Sequence, residues 1–231
     1  MKKGTLYRGE HGEEIVLHLL EQDKSTYHRL IPNLILLGNN GMTHQIDFID
    51  IRSNGIFVIE VKNIYGKLQG KIDDDFWFKT FIKKGQVVTE KITNPIKQNN
   101  SHLRIIKKNL KVNYPMFNII ALVQNNADDL GIFKVCNLTN LISRISLMEG
   151  DTTLSTQEID QIYQTLLSLE AYTNEKEHLS NIKKMKADKD AFVKESIYAI
   201  ENRKCPRCEN KLILHEDTLY CNKCGYFLKI S

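Results

Sequence analysis

Long apolar runs are missing from this 231-residue chain: the longest, Phe117 to Val123, already includes Asn118 and falls far short of the roughly 20 residues that a membrane-spanning helix requires. The N-terminus, MKKGTLYRGEHGEE, turns polar and acidic where a signal peptide would need its apolar stretch. Neither export nor membrane insertion is expected, and the expected compartment is the cytoplasm. Cysteine is nearly absent until the end: Cys136 stands alone, and the last 27 residues hold the other four. That excludes a disulfide framework spread over a secreted domain and fits a reducing compartment. Acidic residues are sparse from Lys62 to Lys111, where twelve Lys or Arg stand against four Asp or Glu. Such a surplus makes a candidate phosphate-facing surface, with Lys67, Lys83, Lys84, Lys97 and Arg104 among its contacts; lysines that merely solvate hairpins and a helix are the plain alternative. Glycine and proline are both absent from Leu154 to Ile200, where Ile159, Ile162, Tyr163 and Leu166 fall at helical spacing. Two or more helices are expected there, becoming a charged, solvated connector around EKEHLSNIKKMKADKD.

What is present begins with enough apolar residues, 42% of the chain, for one sizeable core. Ile15, Val16, Leu19 and Leu20 fit one face of a helix starting after Gly12. RLIPNLILL reads as a strand that Pro32 assigns to an edge or an irregular start. THQIDFIDI and GIFVIEVKN follow as two β-rich runs around Ser53-Asn54-Gly55, a hairpin signal. The alternating stretch after Gly66, punctuated by Gly70 and Lys84-Gly85, predicts short antiparallel strands that extend the sheet. Pro95 marks a helix start, with Ile96, Leu103, Ile106 and Leu110 as its apolar stripe, and MFNIIALV returns to a buried strand. This order predicts a mixed α/β layer arrangement.

The apolar hairpin carries Asp47, Glu60 and Lys62, and charged side chains are seldom buried without compensation. Residues two apart in a strand share a face, so Glu60 and Lys62 project together. A loop of Asn54-Gly55 pairs position 47 with 62, and a loop of Ser53-Asn54 pairs it with 60. Either puts Asp47 on the same face, whereas a three-residue loop pairs it with 61 and separates them. Asp50 falls on the opposite face as an ordinary satisfied or exposed carboxylate. Asp47 and Glu60 can together hold a hard cation, Mg²⁺ or Mn²⁺, with the Val61 carbonyl and water completing the shell, while Lys62 orients water or stabilises charge on phosphorus. The alternative is a cross-strand salt-bridge set with no chemistry.

Several spaced motifs together resemble one family. GEHGEE with Gly9, Gly12 and Glu13, HQIDFI with Asp47, GIFVIEVKNIYG with Glu60 and Lys62, the lone Trp77, and NPIKQNNSHL with Asn94, Pro95, Gln98 and His102 are similar to the nuclease-related domain, NERD, from about residue 9 to 125. That family is grouped with the PD-(D/E)xK nucleases. The resemblance implies a restriction-endonuclease-like mixed sheet flanked by helices, with Asp47 and Glu60 as metal ligands and Lys62 as the catalytic lysine. It implies Glu13 as the first-helix carboxylate of the site, Glu14 being its rival, and Gln98 as the polar helix position. His102, one turn beyond Gln98, can share its face towards phosphate or water; a partly buried or surface histidine without that role is the favoured alternative. No proline precedes Asp47, so the motif that names the group is met in its second half.

The tail carries Cys205-x2-Cys208 and Cys221-x2-Cys224 with twelve residues between. Two such knuckles can place four thiolates around Zn²⁺ and leave no open position for water, so the zinc is expected to be structural; disulfides or free thiols are the alternative. The segment resembles a zinc ribbon of the kind appended to DNA topoisomerases. Tyr220, Tyr226 and Phe227 can stack on bases or form the ribbon's core, and the core is the favoured reading. Cys136 reads as a packed thiol. The expected organisation is a nuclease-like domain over 1–150, a helical connector over 151–202 and a zinc ribbon over 203–231. The expected function is hydrolysis of phosphodiester bonds by a Mg²⁺-dependent nuclease, in DNA before RNA, with a homodimer or a protein partner left open. A non-catalytic nucleic-acid-binding or protein-interaction module is the alternative.

Overall fold

The computed structural model describes residues 3–38, 43–110, 114–171, 194–215 and 218–229, with helical positions 180, 187 and 191. The chain divides into two compact units, residues 1–173 and 174–231. Among the described residues no helix is long and apolar enough to cross a membrane.

The first unit is a mixed α/β layer structure. Its main sheet has the order β1-β2-β3-β7-β8, built from β1 (His28–Leu37), β2 (Thr43–Arg52), β3 (Gly55–Lys62), β7 (Met116–Leu122) and β8 (Val135–Asn137). β1, β2 and β3 are antiparallel neighbours, and β7 and β8 run parallel to β3. β1 is an edge strand, as Pro32 requires. β3 and β7, in the middle, are apolar on both faces because both are covered. Ile106 of α2 (Pro95–Leu110) and Ile159, Ile162 and Leu166 of α4 (Thr156–Ser168) pack with Ile49, Ile51, Ile56 and Val58. Val16 and Leu20 of α1 (Lys3–Gln22) and Leu141 and Ile145 of α3 (Leu141–Leu147) pack with Phe57, Ile59 and Val61. Alternate residues of β3 therefore serve two helical layers, the period-2 consequence of a sheet covered on both sides.

Three expectations are corrected. α1 does not start after Gly12; it starts at Lys3 and runs through Gly12. A Cβ on Gly12 would sit 2.8 Å from Val123 Cγ2, so glycine serves close packing there rather than a helix boundary. The strands after Gly66 do not extend the main sheet. β4 (Lys67–Gln69), β5 (Phe76–Lys83) and β6 (Gln86–Thr93) form a separate antiparallel sheet, because the free edge of β3 is taken by β7. Its hairpin turns on Lys84 and Gly85, both at positive φ (51° and 79°), the geometry of a type I′ turn. Trp77, fully buried, roots this sheet through Leu68, Ile96, Ile120 and Leu122. The stripe of α2 is also rotated: Pro95, Ile96, Asn99, His102 and Ile106 are buried, two of them polar, while Leu103 and Leu110 are only partly so.

α4, which the sequence reading placed in the connector, packs on the main sheet. Its N-terminus is closed by a reciprocal capping box between Ser155 and Glu158. The connector expected over 151–202 falls largely at residues 172–179, 181–186, 188–190, 192 and 193, outside the described residues. The second unit contains a helix over 194–202 and a three-stranded sheet in the order β11-β10-β9, made of β9 (Ile213–His215), β10 (Thr218–Tyr220) and β11 (Phe227–Lys229).

Candidate active site

The β2–β3 register decides which charges meet. Arg52 pairs with Gly55 and Phe48 with Ile59, so the loop is Ser53-Asn54 and Asp47 stands across from Glu60. On the other side of β2 the ladder with β1 skips one pair, at Asn33 opposite Asp47, where Asn33 takes φ 53°. Asp47 Oδ2 accepts the Val61 amide at 2.8 Å, which turns the carboxylate towards β3. Glu60 is buried, at 2% exposure, and its Oε1 accepts from Lys62 Nζ and, at 2.6 Å, from Gln98 Nε2. Gln98 comes from the first turns of α2, which Asn94 caps: its Oδ1 accepts the Ile96 amide at 2.9 Å, and Pro95 fills the first helical position, where no amide is needed.

α2 is held on the sheet by buried amides. Asn99 Nδ2 donates to the Val58 carbonyl and Asn118 Oδ1, both at 2.8 Å, and Asn118 Nδ2 donates to the Ile96 carbonyl at 2.9 Å. This network fixes the azimuth of α2 and with it the reach of Gln98 and His102. His102 is buried rather than placed on a phosphate-facing surface, and it forms a wall of the site. Its Nδ1 lies 3.6 Å from Glu60 Oε2 and its ring meets His44 edge-on at 5.9 Å. Burial, with the charges of His44 and Lys62, lowers its pKa to about 4, so it stands neutral at physiological pH.

The electrostatics are those of negative charge in excess. Burial, then the neighbouring Glu60, pushes the Asp47 carboxyl up to about 7, against the pull of the Val61 amide and Lys62. Burial also pushes Glu60 above its ordinary range, against Lys62, with the charge of Glu13 adding to the push. Glu60 Oε2 is buried without a hydrogen-bond partner. A buried carboxylate oxygen with no hydrogen bond, 3.6 Å from an equally unbonded His102 Nδ1 and beside a second buried carboxylate, suits a hard cation, the chemistry of Mg²⁺ or Mn²⁺ rather than of a softer metal. The residues that would hold it are Asp47 and Glu60, with the carbonyl of Val61, the residue after Glu60. The three carboxylates Glu13, Asp47 and Glu60 do not converge within 4.8 Å of one another; among the described residues only the four tail cysteines do so.

Other sequence candidates lie apart. Lys67, Lys83 and Lys84 are exposed on the small sheet and its turn, Lys97 pairs with Asp75 at 2.5 Å, and Arg104 lines a cavity of about 610 Å³ beside Lys107 and Tyr114. Asp50 is buried and satisfied, bonded by Arg52 Nε at 2.7 Å and His28 Nδ1 at 2.8 Å, while Arg52 also reaches Asp23. The sequence reading missed His44 and the Asn99–Asn118 pair, since neither a strand histidine nor a helical asparagine has a signature of its own.

The tail brings Cys205, Cys208, Cys221 and Cys224 together with all four sulfurs within 4.8 Å. Sγ of Cys205 is 3.4 Å from Cys224 and Sγ of Cys208 is 3.5 Å from Cys221. These distances are near the edge of a tetrahedron of about 2.3 Å Zn–S bonds, and no disulfide joins them. The two knuckles repeat one backbone design. Glu209 and Gly225 each donate to the carbonyl of the first cysteine four residues back, and both take positive φ, 56° and 74°. Burial opposes ionisation of Cys221, but the amides of Cys224 and Lys223 bring its thiol down to about 6. The Asn210 amide favours the Cys208 thiolate, yet burial and the neighbouring thiols push it up to about 12. Tyr226 is buried in this unit's core, whereas Phe227 is exposed and Tyr220 partly so.

The family model of the nuclease-related domain, NERD, matches residues 8–123, which spans most of α1 and all of β1 to β7 with α2. An uncharacterized protein of Bacillus anthracis is 25% identical over 170 residues, covering 70% of this chain and 76% of that protein. No solved structure matches the chain.

Proposed function

The chain belongs to the nuclease-related domain family, and from that premise we propose that it is a divalent-metal-dependent nuclease hydrolysing phosphodiester bonds in DNA, with the four-cysteine tail as a structural zinc ribbon. The observation that carries the reading is the buried Glu60, with Oε2 unpartnered, facing Asp47 and flanked by Lys62. A divalent cation held by Asp47, Glu60 and the Val61 carbonyl would polarise the phosphate and acidify a bound water. The chain's own residues do the rest. Gln98 and the Val61 amide hold the two carboxylates in place, each through one oxygen, and so leave the others for a ligand. Lys62, half-buried, carries positive charge next to where negative charge develops on phosphorus. Glu13 keeps the field of the site negative and so favours a cation. His102, neutral and buried, excludes water from the rear of Glu60 without adding a competing charge.

A second reading is favoured by one contact: Lys62 already pairs with Glu60, as in a structural salt bridge. Cleavage of plasmid, linear duplex and single-stranded DNA in Mg²⁺ or Mn²⁺, run beside Glu60→Ala and Lys62→Ala, separates the two. Cleavage lost in both variants supports the nuclease. A folded, cation-binding wild type that never cuts leaves a nucleic-acid-binding module.

A further inference from the structure

The β4-β5-β6 sheet has one face rooted by Trp77 and one face open. Register fixes the membership of the open face: Phe76, Phe78, Thr80 and Ile82 on β5 stand across from Thr93, Lys91, Thr89 and Val87 on β6, and Lys67 and Gln69 on β4 stand across from Thr80 and Phe78. Phe76 and Phe78 are 42% and 46% exposed, Ile82 and Val87 67% and 73%. Apolar side chains rarely line an exposed sheet face in a row without an occupant. Lys67 and Lys91 are the charged members of this face and no acid shares it; Lys91 Nζ sits 3.5 Å over the Phe76 ring. Of the three acids at its border, Asp74 is bonded by the Lys71 amide and Asp75 by Lys97, and Asp73 stands exposed on the turn before β5.

We propose that this face docks an unpaired strand of nucleic acid, its bases stacking on Phe76 and Phe78 and its phosphates meeting Lys67 and Lys91. The inference rests on the nuclease reading and names the substrate class for that site: DNA carrying a single-stranded segment. Two aromatic rings on alternate positions of one strand, about 6.8 Å apart, form a row on which successive bases can lie. Lys91 covers one face of the Phe76 ring and has to swing aside for a base, after which ring and ammonium serve base and phosphate side by side. A second copy of the chain fits less well, since an isologous contact would collect four lysines with no counter-charge in its centre. The face is tied to the catalytic residues through its underside: Trp77 packs with Leu122, the register partner of Lys62, and with Ile96, two residues before Gln98. Strand binding and the site therefore share one rigid support.

The test is fluorescence anisotropy of a labelled oligodeoxythymidine of about 15 nucleotides and of a matched duplex, with the full zinc-loaded chain in magnesium-free buffer. Wild type is compared with Phe76→Leu/Phe78→Leu and with Lys67→Gln/Lys91→Gln, and fluorescence of Trp77, the sole tryptophan, checks that each variant is folded. The leucine variant keeps apolar area and removes the rings, and is expected to bind the single strand about tenfold more weakly with a smaller loss for duplex. The glutamine variant is expected to reduce the slope of log affinity against log salt by about 0.7 per lysine. Equal strand affinity in wild type and leucine variant overturns the proposal, as does absence of strand binding by wild type. A wild-type dimer that the leucine variant dissociates, with strand binding unchanged, overturns it in favour of self-association. Because no cleavage occurs in this buffer, a protein that binds the strand through these rings yet never cuts in Mg²⁺ defeats the nuclease reading and leaves the platform standing.

Discussion

At the residue scale, Asp47 and Glu60 are costly in a metal-free protein, and the cost has a pH signature. Burial, with the neighbouring Glu60, pushes the Asp47 carboxyl up to about 7, well above the ordinary carboxylate range. A carboxyl raised in this way contributes stability that is full below the unfolded pKa and is lost as pH rises through the folded one. His102, lowered from 6.5 to about 4, works the other way, its contribution present above 6.5 and lost as pH falls towards 4. Between these limits the two offset each other in the wild type, so the cleaner observable is a difference. Asp47→Asn is expected to be more stable than wild type by about 1–2 kcal/mol near pH 8 without divalent metal, with the gap closing as pH falls towards 4. Thermal melts of both proteins across that range measure it; an Asn variant less stable at every pH would mean that the Asp47 charge, drawn to Lys62, stabilises the fold instead of straining it. Mg²⁺ is expected to raise the wild-type midpoint and leave that of Asp47→Asn nearly unmoved. Lys62 acts on the other side of the ledger between binding and chemistry. Lys62→Ala is expected to cut the cleavage rate by about a hundredfold or more while the Mg²⁺-induced stabilisation survives, because the lysine bears on charge developing at phosphorus rather than on holding the cation.

At the scale of elements, the site exists because α1 and α2 approach β3 closely and at fixed azimuth. Asn99 is the fastening for α2: truncation to Ala leaves the Val58 carbonyl without its side-chain donor and opens space in a buried layer. A loss of about 2–3 kcal/mol is expected for Asn99→Ala in urea titrations, against near-neutral substitution of the exposed Lys107 on the same helix. Gly12 is the corresponding point for α1. Gly12→Val should push α1 off Val123 and shift Glu13 away from Glu60, lowering cleavage more than helix content by circular dichroism, given 2.8 Å to the nearest carbon already for a single Cβ. These two elements also mark what the sequence could convey. The hairpin register was legible because the period of two leaves only one parity that unites Asp47, Glu60 and Lys62, and the two-residue loop at Ser53-Asn54 obeys it. The azimuth of α2 was not, because polar Asn99 and His102 face inward where a hydrophobic stripe would assign Leu103 and Leu110. Nor was the start of α1, since a helical glycine that permits close packing looks the same in sequence as one that ends a helix. The detachment of β4, β5 and β6 follows from β7 claiming the edge of β3 in parallel, a long-range pairing that no local pattern announces.

At the scale of the molecule, two cores of different origin share one chain. The first draws on apolar burial over 173 residues, and α4, far along the sequence, completes it with Leu154, Ile159, Ile162 and Leu166. Among the described residues the second core consists of Ala199, Leu212, Leu219, Tyr226 and Leu228 with Cys205, Cys208 and Cys221. A core that small gains little from apolar burial, so a zinc ion held by the four thiolates would supply much of the unit's folding free energy. The thiols offer a readout that separates the two cores. Cys136 is 2% exposed in the first, its thiol pushed up to about 11 by burial, whereas the other four cysteines are the tail cluster. In zinc-loaded protein all five are expected to resist a thiol reagent. Addition of a strong zinc chelator should release one metal per chain and expose four thiols within minutes, with Cys136 reacting only when urea unfolds the first unit. If Cys136 becomes reactive together with the four, the first core opens when the tail loses its metal, and the two units do not fold on separate accounts. If the four react at once before any chelator, the cluster holds no zinc, and the energy that closes the second unit has to come from another source.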